Sequence, residues 1–138
     1  MASISLTPAD VRVGANMSTT TITGGEASIE PGDLLYNDSG KYKRCINTSE
    51  AAAAATHVAL TYGGLDDKIA VGEITNNSSY IESASAAWVA GEVYITSTVA
   101  GEMMPAEDIA SSGYVNIVGV AESTTAMKLF AQSSGISK

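Results

Sequence analysis

Apolar and polar positions alternate along this chain in short runs, broken by turn-forming residues about every 8–12 positions. Ile4 and Leu6 alternate with polar residues until Pro8 interrupts any regular ladder, and Val11 and Val13 flank Arg12. The polar stretch 18–25 has β-propensity but little to bury. From Pro31 the pattern predicts a strand at Leu34-Leu35-Tyr36, a hairpin turn at Asn37-Asp38-Ser39-Gly40 and a returning strand over 42–46. Ser49 is placed to cap a helical turn in the alanine run 51–55, which is too short to hold without packing. Strands are expected over 57–62, 68–74 and 80–82, with turns at 63–67 and 76–79. Over 91–98, Val93 and Ile95 fall on one side and Glu92, Tyr94 and Thr96 on the other. A second helical turn is expected over 106–112 after Pro105, then strands over 114–122 and 125–132, and a tail over 133–138. The sum is a mainly β chain, a small β-barrel or β-sandwich-like domain with one or two short helical turns.

One phrase occurs twice. Gly32-Asp33-Leu34-Leu35-Tyr36 leads to Val58-Ala59-Leu60-Thr61 and then Lys68-Ile69-Ala70-Val71. Gly91-Glu92-Val93-Tyr94-Ile95 leads to Val118-Gly119-Val120-Ala121 and then Ala126-Met127-Lys128-Leu129-Phe130. The spacing drifts by a residue, as in an internal pseudo-repeat. Residues 1–30 lie outside it and read as an extended N-terminal arm, ordered when laid against something, with residues 31–138 forming the β-rich domain.

Composition narrows the function classes. The net charge is −8 with seven Lys and Arg, too few to hold phosphates, so nucleic acid is not an expected partner. The basic cluster Lys41, Lys43 and Arg44 reads as a solvated hairpin strand. Cys45 is alone, which leaves no intrachain disulfide and suits a buried small hydrophobe made in a reducing compartment. No apolar run approaches the ~20 residues that span a membrane, and the first residues lack the basic-then-apolar pattern of a signal peptide. Much of the apolar content is alanine, with one Trp and one Phe, so the core is thin and self-association is expected.

Catalytic chemistry finds few candidates. With one His and one Cys, no zinc site can be assembled from those residues, and the glycines match neither phosphate-binding nor dinucleotide-binding spacings. His57 with Asp66 or Asp67 is the only titratable grouping for an enzyme of unfamiliar design, and the adjacent carboxylates alone do not make a hard-cation site. The expectation is a non-enzyme without metal or cofactor. Trp88 is the largest apolar group and is either a core anchor or a contact between subunits. With Tyr62, Tyr80 and Tyr94 it is also the material for a sugar-binding platform, the alternative being a carbohydrate- or receptor-binding module on a virion surface.

Several segments together resemble the small head decoration, or capsid cement, proteins of tailed bacteriophages. They are Leu6-Thr7-Pro8-Ala9-Asp10-Val11, Glu30-Pro31-Gly32-Asp33-Leu34-Leu35-Tyr36, Asp38-Ser39-Gly40-Lys41-Tyr42 and Thr48-Ser49-Glu50 with its alanine run. Val118-Gly119-Val120-Ala121 and Met127-Lys128-Leu129 complete the set, and the likeness to the lambda decoration protein is in layout more than in residues. The resemblance implies a β-tulip-type domain that assembles as a homotrimer over three-fold and quasi-three-fold points of the expanded shell. Its partner would be the major capsid protein, and its place the capsid exterior after synthesis in the host cytoplasm. The arm would lie on the capsid, with Ile4, Leu6, Val11 and Val13 as contacts.

Overall fold

The computed structural model describes residues 3–4, 6–74, 79–106 and 113–137. The chain is mainly β, built from two antiparallel sheets in a small β-sandwich-like arrangement. The five-stranded sheet has the order β2-β6-β5-β3-β4: β2 (Thr19–Thr23), β3 (Leu34–Asp38), β4 (Lys41–Arg44), β5 (His57–Ala59) and β6 (Lys68–Glu73). The six-stranded sheet has the order β1-β7-β11-β10-β8-β9. Its strands are β1 (Val11–Val13), β7 (Ser79–Ser83), β8 (Val93–Thr96), β9 (Met103–Pro105), β10 (Tyr114–Ala121) and β11 (Ala126–Ser137). A single helical turn, α1 (Glu50–Ala53), is capped by Ser49, whose Oγ accepts the Ala52 N–H at 3.2 Å. The second helical turn expected over 106–112 falls almost wholly outside the described residues.

The two sheets share one connectivity. Reading β2 to β6 against β7 to β11 in chain order converts 2-6-5-3-4 into 7-11-10-8-9, with β1 added beside β7. The correspondence extends to single residues at a spacing of 59. Ser28 and Ala87 both have positive φ, 64° and 56°, and so do Gly32 and Gly91, 96° and 84°. Between them sit Ile29 and Trp88, each 1% exposed. The hydrogen bonds repeat as well: Gly32 N–H to Ala59 O and Gly91 N–H to Ala121 O, Asp33 N–H to Glu30 O and Glu92 N–H to Val89 O. Ala59 and Ala121 return the bond, donating to Asp33 O and Glu92 O. A left-handed residue, a buried anchor and a left-handed glycine thus turn the chain into β3 in one sheet and β8 in the other. Only glycine holds that last position without a Cβ penalty.

Core residues alternate between two compartments. Leu34 and Val58, paired across β3 and β5, face the six-stranded sheet and pack with Ile81, Trp88, Tyr94, Val118, Met127 and Leu129. Leu35, Ala59, Ile69 and Val71 point the other way and enclose Ile29 within the curl of their own sheet. That sheet is rolled so far that its edges meet: Gly24 forms a parallel bridge with Tyr42, and Gly25 N–H donates to Tyr42 O at 2.7 Å. One bridge does not close a ladder, so the sheet remains an open curl rather than a barrel.

One expectation is corrected. The segment 133–138 is not a tail up to residue 137, because β11 continues to Ser137 and pairs Ser133 with Asn116 and Ser137 with Tyr114. Register shifts in β10 absorb the extra length, and Gly119 sits where a Cβ would meet the Lys128 carbonyl oxygen. Over 91–98 both sides of the strand are buried: Tyr94 lies in the inter-sheet core with Thr96 also buried, and Ile95 packs beneath the sheet with Met104 and Ile117, while Val93 at the start is exposed.

Candidate interaction surface

The N-terminal segment lies extended against its own domain. Ile4 bridges Met103 on β9, its N–H donating to Met103 O at 2.7 Å, and Ser3 Oγ lies 2.6 Å from Ser97 Oγ. Leu6 packs over Gly32 and beside Val11, at the rim of the main core. Pro8–Asp10 form a 3-10 turn, pinned where Ser85 Oγ donates to Asp10 Oδ2 at 2.5 Å. Val11–Val13 then pair with Ser83–Ile81 on β7, and Gly14 N–H donates to Tyr80 O.

This strap, residues 3–4 and 6–10, therefore runs from one edge of the six-stranded sheet to the other. Seven residue steps reach at most about 25 Å, whereas seven flat strand positions span about 29 Å. The sheet must curl for both contacts to form, and the strap ties its edges. β1 remains the terminal strand, with no sheet neighbour on its outer side among the described residues.

The proposed contact residues divide unequally. Val11 is a core residue at 8% exposure, and Ile4 and Leu6 are half-buried against that core. Val13 is 46% exposed and faces away. Trp88 is in the core, with its Nε1–H lacking a partner among the described atoms.

Beneath the strap lies a cleft of about 160 Å³, walled by Ile4, Leu6 and Pro8 on one side and Glu30, Asp33, Arg44 and Glu102 on the other. Asp33 is central. Its Oδ2 accepts the Glu30 N–H at 2.9 Å, and its carboxylate fills the space beside Gly101 in the β8–β9 turn. Burial pushes its carboxyl up to about 6, against the pull of the Glu30 N–H and Arg44, with Glu30 and Glu102 adding repulsion. The guanidinium is already committed, since Arg44 Nε and Nη2 both donate to Glu26 Oε1.

The remaining basic residues of β4 are likewise matched: Lys41 with Asp66 at 2.5 Å and Lys43 with Asp38 at 2.9 Å. This strand is a charge-balanced exposed ladder, not a positive patch. His57 is half-buried, its Nδ1 2.9 Å from Thr56 Oγ1 and its ring edge-on to Tyr42. Burial lowers its pKa, with Glu73 opposing. Asp66 is bound to Lys41 and Asp67 accepts the Gly64 N–H, so the enzyme grouping has no bond joining its members. Cys45 is buried and its thiol is pushed up by desolvation, which holds it protonated and unreactive. Of the four aromatics named for a sugar platform, Trp88 and Tyr94 are in the core and Tyr62 is well exposed. Among the described residues no cluster of three metal-binding side chains forms, and no helix is long and apolar enough to cross a membrane.

Sequence reasoning singled out Ile4, Leu6 and Val11 but missed Asp33 as a buried acid. Its only sequence signal is the break in kind at Asp33-Leu34, where a carboxylate directly precedes a fully apolar pair. No family model, curated protein or solved structure matches the chain.

Proposed function

We propose that the chain is a structural protein of a bacteriophage head, binding the outside of the expanded shell and stabilising it. The observation that carries this reading is the extended N-terminal segment on a stiff two-sheet scaffold, with Val13 exposed on a terminal strand. The Val11 N–H and C=O are held by Pro8 O and Arg12 Nη1, and beyond them a short terminal strand with no strand on its outer side is suited at Val13 to main-chain pairing with a strand of another protein. The segments that resemble capsid cement proteins support the same reading. Leu6 to Val11 forms the strap, and Glu30 to Tyr36 forms the turn on which it rests.

On this reading the protein is a homotrimer at three-fold and quasi-three-fold positions, and its partner is the major capsid protein. Each trimer would contact several shell subunits, so individually weak contacts add through multivalency. Selective binding to the expanded form stabilises that form by mass action against the pressure of packaged genome.

The test is co-sedimentation of purified protein with undecorated shells of its phage, before and after expansion. Saturable binding to expanded shells alone is expected. Absence of binding to both would overturn the proposal, and saturable glycan binding through Tyr62 would replace it with the carbohydrate-binding alternative.

A further inference from the structure

The strap is held by few interactions, and the surface it covers is electrostatically unbalanced. Asp10 and Ala9 anchor its far end through Ser85 and Arg12, but over the cleft its grip is the Ile4–Met103 backbone bond, the contacts of the Ser3 hydroxyl with Ser97 and Met103, and the packing of Ile4 and Leu6. Every charged group facing Asp33 across the cleft can be named. Glu30 comes from the turn before β3, Glu102 from the β8–β9 turn and Arg44 from the end of β4, with Glu26 bound to that guanidinium. The strap's own lining residues, Ile4, Leu6 and Pro8, bring no charge. When all three carboxyls are ionised, the cleft holds three negative charges around one shared cation. Apolar side chains then cover groups that gain free energy from water.

We propose that the strap is a pH-sensitive latch: a protonated Asp33 holds it across the cleft, and ionisation of Asp33 loosens it. A neutral carboxyl can stay under Leu6 and Ile4 at little cost. An ionised one is better solvated when the strap lifts and water enters, so opening and proton release are linked. Partial burial pushes the Asp33 carboxyl up from 3.8 to about 6. Full exposure on opening would therefore raise the open fraction by up to about 100-fold between pH 4 and pH 7. Lifting the strap also frees the Met103 carbonyl on the edge of β9 and unties the sheet. The latch is a property of the isolated chain and does not depend on the capsid reading.

Amide protection factors of Ile4, measured by NMR from pH 4.5 to 7.5 and corrected for intrinsic exchange, test it. Wild-type protection is expected to fall at least tenfold from pH 4.5 and to level off above about pH 6, while the Ile69 and Val71 amides, which open only on unfolding, stay far more protected than Ile4 at every pH. In Asp33→Asn it should stay high and flat. Constant Ile4 protection, Ile4 protection equal to that of Ile69 and Val71, or pH dependence surviving in Asp33→Asn would each overturn the latch. Should that variant not fold, the Asp33 carboxyl resonance of the wild type decides. A midpoint at the pH where the loss of Ile4 protection levels off supports the proposal, and one in the ordinary range near 4 contradicts it.

Discussion

Trp88 occupies in one half of the chain the position that Ile29 holds in the other, following a left-handed residue and preceding a left-handed glycine. Its indole is an inter-sheet anchor, which explains why a residue with an unpartnered Nε1–H is kept in the core. Trp88→Ala is expected to cost about 3–5 kcal/mol, read as a large drop in Tm. Trp88→Phe should cost much less, because the orphaned donor leaves with the ring that carries it. Asp33 works in the opposite sense. Its carboxyl is raised in the folded state, to about 6 from 3.8, so the unfolded chain ionises first as pH rises. Stability should therefore decline between about pH 4 and 6 and stay level above, by at most about 3 kcal/mol. Denaturant unfolding of Asp33→Asn across that range should lack the decline. The sequence marked Trp88 as important without deciding between core and interface, because a lone aromatic among alanines has no periodicity. Asp33 was invisible as a buried acid because its burial comes from residues at 4, 6 and 101, distant in sequence.

At the scale of elements, the turn into each sheet is the repeated device. Gly91 and Gly32 both need positive φ, but a Cβ at Gly91 meets nothing, whereas one at Gly32 meets Leu6 and Val11. Gly91→Ala should cost about 1–2 kcal/mol of backbone strain. Gly32→Ala should cost more and lower Ile4 amide protection, since the strap must shift to make room. The Gly-acid-apolar phrase exposed this repeat in the sequence, and Ser49, the Asn37–Gly40 turn and most strands were legible from local chemistry. Gly40 takes its expected positive φ of 94°. The pairing of β11 to Ser137 was not legible, because Ser and Gly carry no apolar alternation and the ladder there is main-chain bonding to β10. Within residues 1–30, β1 and β2 are strands of the two sheets and Ile29 is a core residue, because alternation cannot say which surface an extended segment lies on. Here Val11 and Ile4 bind its own sheet edges.

The whole molecule presents an acidic surface, its basic strand matched by carboxylates, around a scaffold whose two sheets are each tied at their edges. Such a body suits a role in which shape and surface matter. It also makes the arm separable by degree: deleting residues 2–13 would strip Val11 from the core and destabilise the fold. Val13→Asp, at an exposed position, should leave the unfolding free energy within about 0.5 kcal/mol of wild type. On the proposed function it should weaken attachment to expanded shells at least tenfold, about 1.4 kcal/mol. Equal binding by Val13→Asp would remove β1 from the contact.

The most direct test of the proposed role is an electron-microscopy difference map between expanded shells with and without the purified protein. The account predicts density on the outer surface at the three-fold and quasi-three-fold positions, three copies at each, with the β1 edge against the shell. An empty difference map at saturating protein, or density confined to sites without three-fold symmetry, would contradict it.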